Sequence, residues 1–137
     1  MFKLVKINGA RTNVPEPIIL NIDGTTPYLA GCVYYLAEGT ISTSPSSESD
    51  LKFIPLETIA ENSEKNKLSG YIVNENMIFE TDIYNNFNNA KVGNALAIYS
   101  DDAGNLIGVD SSAGYDAMLI SKDEAQSKRK VLVALKW

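Results

Sequence analysis

Tyr71-Ile72-Val73-Asn74-Glu75-Asn76-Met77-Ile78-Phe79 places two short apolar runs on either side of a polar turn. Each run is too short for a helix and rich in β-branched or aromatic side chains, so each reads as a strand. The same rhythm continues outward in both directions. Towards the N-terminus, apolar segments lie at residues 51–56, 40–41, 29–36, 18–22 and 2–7. Towards the C-terminus they lie at 92–99, 106–109, 117–120 and 131–135. Pro55 inside 51–56 removes a ladder donor, which marks an edge strand or a strand end. Asn8-Gly9 is a tight-turn signal and Asp23-Gly24 ends the segment before it. The serine-rich stretch 42–50 and the asparagine-dense 84–89 read as loops. Residues 58–67 read as a polar helical turn or a loop, and 121–130 as a loop or one short helix. Many short strands with regularly placed turns predict an all-β fold: a small antiparallel barrel or sandwich with at most one short helix.

With 137 residues, the chain has the length of a single domain and can bury a core without disulfides or metals. Cys32 is the only cysteine, set in the apolar run Ala30-Gly31-Cys32-Val33-Tyr34, and reads as a small buried hydrophobe. The net charge is −5, and the one dense basic run is Lys128-Arg129-Lys130. Nucleic acid is therefore not an expected partner, because phosphate backbones are held by clustered lysine and arginine. No apolar run approaches the roughly 18 residues of a membrane-spanning helix, so no membrane partner is expected. Residues 1–9 interleave lysines with apolar residues rather than forming a secretory leader, which predicts synthesis in the cytoplasm.

The chemistry available is narrow. The chain has no histidine, which excludes a Ser-His-Asp triad, a Cys-His pair and histidine-ligated zinc. No glycine-rich phosphate cradle can be written on it. Ser127-Lys128-Arg129-Lys130 matches the Ser-x-x-Lys pattern formally, but its charged surroundings mark a solvated loop rather than the buried helix that pattern needs. Asp101, Asp102, Asn105, Asp110 and Asp116 lack EF-hand spacing and read as turn residues. The tyrosines at 28, 34, 35, 71, 84, 99 and 115 read first as core and interface positions, and second as a sugar-binding face. The expectation is a protein that binds other proteins, with no enzyme activity, no cofactor and no metal.

Two readings of the N-terminus stand side by side. Residues 1–17 form an extended arm or the first strand of the sheet, and residues 18–137 form one β-rich domain. The prolines of Val14-Pro15-Glu16-Pro17 enforce extended backbone and suit an arm or an edge. A stiff segment loses little entropy on docking and can add a strand to a neighbour's edge. On the arm reading, residues 1–17 can be removed without unfolding the rest. There is also an internal echo. Gly31-Cys32-Val33-Tyr34-Tyr35-Leu36 with Gly39-Thr40-Ile41 resembles Gly93-Asn94-Ala95-Leu96-Ala97-Ile98 with Gly104-Asn105-Leu106, at a spacing of 62 residues between the leading glycines. This reads as one hairpin used twice.

Met1-Phe2-Lys3-Leu4-Val5-Lys6-Ile7, then Arg11 and Asn13-Val14-Pro15-Glu16-Pro17, resembles the start of the small auxiliary, or decoration, head proteins of tailed bacteriophages. Tyr28 to Gly31 as a Tyr-x-x-Gly turn, Phe79-Glu80-Thr81, Val92-Gly93 and the basic segment 128–133 follow in the same order. The resemblance implies a β-rich cement protein on the outer capsid surface of the virion. It would bind the assembled major capsid protein, stabilise contacts between capsomers, and form a homo-oligomer, with a trimer envisaged. Capsid contacts would come from the arm: Phe2, Lys3, Val5, Lys6, Arg11, Asn13, Val14, Pro15 and Pro17. The alternative is a tail or fibre accessory module that binds carbohydrate.

Overall fold

The computed structural model describes residues 1–7, 16–112, 114–122 and 129–136. The Asn8-Gly9 turn and Arg11, Asn13, Val14 and Pro15 lie outside these residues. In chain order the strands are β1 (Lys3–Ile7), β2 (Ile18–Asn21), β3 (Tyr34–Ala37), β4 (Thr40–Ser42), β5 (Leu51–Pro55), β6 (Lys67–Ile72), β7 (Met77–Asp82), β8 (Ala95–Ser100), β9 (Leu106–Asp110), β10 (Ala117–Lys122) and β11 (Lys130–Leu135). A single 3-10 turn, Phe87–Asn89, is the only helical element among the described residues. The fold is all-β: two curled antiparallel sheets, each a half-barrel.

Two expected strands start late for the same reason. The chain turns at Gly31 and Gly93, whose φ angles of 78° and 89° are accessible at low cost only to glycine. The strands that follow therefore begin at Tyr34 and Ala95 rather than at residues 29 and 92. Pro55 closes β5, an interior strand, at its last residue, where a missing N–H does least damage. Residues 58–66 form a loop, tied down by mutual backbone hydrogen bonds between Tyr28 and Ile59 (2.9 and 2.8 Å).

The six-stranded sheet has the order β1-β7-β11-β10-β8-β9, and the five-stranded sheet β2-β6-β5-β3-β4. The apolar runs at 71–73 and 77–79 fall at the end of β6, just past its last residue Ile72, and at the start of β7, and these two strands lie in different sheets. The Asn74-Glu75-Asn76 turn thus carries the chain from one sheet to the other. It is closed by the Asn76 N–H donating to Asn74 Oδ1 (3.0 Å) and the Met77 N–H to the Asn74 carbonyl (3.2 Å).

Advancing each strand of the five-stranded sheet by five turns its order into β7-β11-β10-β8-β9, the order of the other sheet without β1. Every ladder involved is antiparallel. When Gly31 is laid over Gly93, the registers also agree. The row Tyr34, Phe53, Ile72 falls on Leu96, Ala117, Leu135, and the pair Ile18, Gly70 falls on Phe79, Val133. The echoed hairpin, β3-β4 in one half and β8-β9 in the other, is one part of this repeated five-strand plan. The strand left over is β1.

Each half-barrel has its own core. The larger gathers Phe2, Met77, Phe79, Leu96, Val109, Leu119, Val131, Val133 and Leu135, and takes Val33, Ile54 and Val73 from the other half. The smaller holds Tyr28, Cys32, Tyr34, Phe53, Ile59 and Leu68. Alternate residues of β5 face the two cores, Phe53 one and Ile54 the other, so this strand is shared between them. The buried Lys52 adds a polar link: its Nζ donates to the Lys136 carbonyl (2.5 Å), which follows β11.

The N-terminal segment is a strand of the domain's own sheet. β1 pairs antiparallel with β7, with Lys3 opposite Glu80 and Leu4 opposite Phe79, and a bulge between Leu4 and Lys6. Phe2 is 4% exposed and meets Phe79 edge to face, with ring centroids 6.5 Å apart. Its N–H donates to the Gly31 carbonyl (2.7 Å). This corrects the arm reading for residues 2–7, because a free arm cannot keep a phenylalanine in the core.

Candidate binding surface

The residues expected to contact a capsid divide into three groups. Phe2 is a core residue and is not available to a partner. Lys3 and Val5 are exposed on β1, Lys6 contributes backbone to the same strand, and Pro17 is exposed just before β2. Arg11, Asn13, Val14 and Pro15 lie outside the described residues.

A larger surface, not visible from sequence, lies on the outer face of the six-stranded sheet. Along β11, Lys130, Leu132 and Ala134 alternate with the buried Val131, Val133 and Leu135, so they point away from the core. Each heads a row across the sheet. Lys130 lies beside Asp82, its Nζ 3.2 Å from Asp82 Oδ1. Leu132 lies beside Glu80, which faces Lys3 on β1. Ala134 lies beside Met118, which faces Ala95 on β8. The face thus grades from charged rows to an apolar row. Met118 is 51% exposed. Val92, 66% exposed, sits in the adjoining turn, which is fixed to β10 by the Gly93 N–H donating to the Leu119 carbonyl (2.8 Å). An apolar patch rimmed by charges is the usual anatomy of a protein-binding surface.

The other candidate groups are absorbed by structure. Cys32 is buried, and burial pushes its thiol pKa up, away from the reactive thiolate. Tyr28, Tyr34 and Tyr35 are buried, with Tyr35 pushed up to about 12 chiefly by burial. Tyr84 stacks on Tyr99 with centroids 4.1 Å apart and lies against Gly108. Tyr115 stands apart, 82% exposed. The structure therefore does not bring the seven tyrosines to one sugar-binding face. Asp101 accepts hydrogen bonds from the N–H groups of Ala103 (3.0 Å) and Asn105 (2.8 Å) in its own turn, and the Asn105 backbone bond leads in holding its pKa down. Asp110 accepts from Asn85 Nδ2 (2.9 Å) and the Ser112 N–H (2.8 Å), tying the asparagine-rich loop to β9. Of the Ser-x-x-Lys stretch, Ser127 and Lys128 lie outside the described residues, and Lys130 is paired with Asp82.

What the fold and this surface define is an all-β protein with an apolar, charge-rimmed sheet face. No protein-family model matches the chain, and neither a curated protein nor a solved structure matches it.

Proposed function

We propose that this protein is a structural component of a tailed-phage head, a decoration protein that binds assembled major capsid protein and adds contacts between capsomers on the outer surface. The resemblance of residues 1–17 to such proteins motivates the reading. The observation that carries it is the outer face of the six-stranded sheet, where Met118, Ala95 and Ala134 form an apolar row beside the Lys130–Asp82 ion pair and the cross-strand neighbours Lys3 and Glu80. The apolar row would supply affinity through area removed from water, and the charged rim would set orientation and encounter rate. Repetition over a shell makes up for a modest contact at each site. Adhesion is the whole activity in this reading, with no catalytic step.

The reading moves the capsid contact from a free arm to a folded face, with Lys3 and Val5 at its β1 edge. Co-sedimentation with purified heads tests it. The double variant Val92→Asp, Met118→Asp changes two exposed side chains and should fold as the wild type does while binding heads at least about tenfold more weakly, a loss of about 1.4 kcal/mol per site. Undiminished decoration by this variant would remove the face from consideration, and absence of the protein from purified virions would remove the function.

A further inference from the structure

The repeated strand plan leaves one position filled in one half and, among the described residues, vacant in the other. In the six-stranded sheet β1 covers the outer edge of β7, whereas the matching edge of β2 carries no strand among the described residues. Its backbone groups are turned outward. The Ile22 N–H donates to the Asn66 carbonyl (3.0 Å) as the β2–β6 ladder continues, so Ile18, Leu20 and Ile22 bond inward and Ile19 and Asn21 face away. Ser69, opposite Ile19, confirms the alternation. Its carbonyl accepts from the Leu56 N–H (3.0 Å), on the side away from β2.

The other edges are protected. β9 is covered by bridges from Val33 to Leu106 and from Ile83 to Val109. β4 has only three residues. β1 carries exposed Lys3 and a bulge. A lysine and a bulge are common guards against edge pairing, and β2, Ile-Ile-Leu-Asn, has neither. The side chain at the key position has also changed character. Ile19 occupies the place of Glu80, which faces Lys3 on β1, and Ile19 is 69% exposed. A strand added here must therefore present an apolar residue opposite Ile19.

We propose that the occupant is β2 of a second copy, paired antiparallel about a two-fold axis through Ile19. In that register the two Ile19 residues exchange N–H···O bonds, and each Asn21 N–H donates to the Pro17 carbonyl of the other copy. Pro17, which lacks an N–H, is needed there only as an acceptor. Two five-stranded sheets become one of ten strands, and the exposed isoleucines meet. A four-residue edge buries far less than the roughly 1,200 Å² of a stable interface, so the pair is weak in dilute solution and is populated when copies are concentrated on a surface. The resulting unit is two-fold, in place of the trimer the resemblance suggests.

The test uses the free full-length protein, so its outcome is independent of capsid binding. Ile19→Cys should cross-link to a dimer on mild oxidation, because opposite residues in a hydrogen-bonded antiparallel pair lie about 5.5 Å apart at Cα, within disulfide range. Asn21→Cys, out of register with its own copy, should cross-link at least about tenfold more slowly, and Cys32 is buried. In the wild type, amide exchange at Ile19 and Asn21 should slow as concentration rises, and Ile19→Lys should abolish that dependence. Equal cross-linking at both positions, a trimer by sedimentation, no slowing at millimolar concentration, or protection that is already complete in dilute solution would each overturn the proposal. The last would mean that the chain covers its own β2 edge.

Discussion

Replacing Phe2 by alanine separates a strand that belongs to the fold from an arm that merely precedes it. Phe2 is 4% exposed, packs in the larger core and meets Phe79 edge to face. Truncating a buried phenylalanine costs about 3–5 kcal/mol, counting lost transfer energy and the cavity left behind. For a chain of this length, each kcal/mol lowers Tm by roughly 3–4 °C, so Phe2→Ala should melt about 9–20 °C below the wild type. Urea unfolding should show a lower midpoint at nearly the same slope, since the surface exposed on unfolding hardly changes. Deleting residues 1–17 should cost more, because it also removes the β1–β7 ladder and the hydrogen bond from the Phe2 N–H to the Gly31 carbonyl. Against a typical total stability of about 5–15 kcal/mol, that deletion should leave a marginal or unfolded protein. Thermal and urea melts followed by circular dichroism read both variants. A truncated chain that melts within about 2 °C of the intact one would show residues 1–17 to be a detachable arm, and the assignment of Phe2 to the core would fall.

Two further perturbations test the local electrostatics. The Asp23 carboxyl is held down to about 2, first by the backbone N–H of Thr26 and then by that of Thr25, at 2.9 and 2.8 Å; because its pKa is depressed in the folded state, its contribution is present above pH 4 and lost as pH falls through 2. The stability gap between wild type and Asp23→Asn, measured by urea unfolding at several pH values, should therefore shrink from pH 5 to pH 2, and a constant gap would reject the turn role. Burial lowers the Lys52 pKa, partly offset by Asp116; the unfolded chain then binds the extra proton, so wild-type stability should rise with pH as it climbs towards the free-lysine value near 10.4. Lys52→Met should lack that rise, and a parallel pH profile would show the ammonium to be solvated.

Most of the strands were legible because their signals are local. Alternation and turn chemistry marked residues 18–22, 106–109 and 131–135 nearly as they fold. The late starts of β3 and β8 are hidden in the sequence because side-chain character continues across Gly31 and Gly93 while the backbone does not, and only the left-handed φ reveals the turn. The sequence leaves the N-terminus open because Phe2 reads the same way in an arm and in a core; what settles it is Phe79, a contact distant in sequence. The apolar face around Met118 was illegible for a related reason. Its members come from β8, β10 and β11, so no single segment announces it.

The echo between Gly31-Cys32-Val33 and Gly93-Asn94-Ala95 was the visible end of a correspondence that the side chains otherwise conceal. Equivalent inward positions hold Tyr34 and Leu96, Phe53 and Ala117, Gly70 and Val133, which share burial or ladder position rather than identity. Where one half fills a site with a bulky ring, the other uses a small residue and takes its volume from elsewhere, as Phe53 does in lying against Gly70. Packing constrains summed volume rather than sequence, so two halves can keep one strand order while almost no residue matches. Edges obey a stricter rule, because an unpaired backbone must be covered, guarded or used. The six-stranded half meets it with β1, which sets Lys3 opposite Glu80. The five-stranded half puts Ile19 at the same place with nothing opposite it among the described residues, and that difference between the halves is the ground for the proposed assembly through β2.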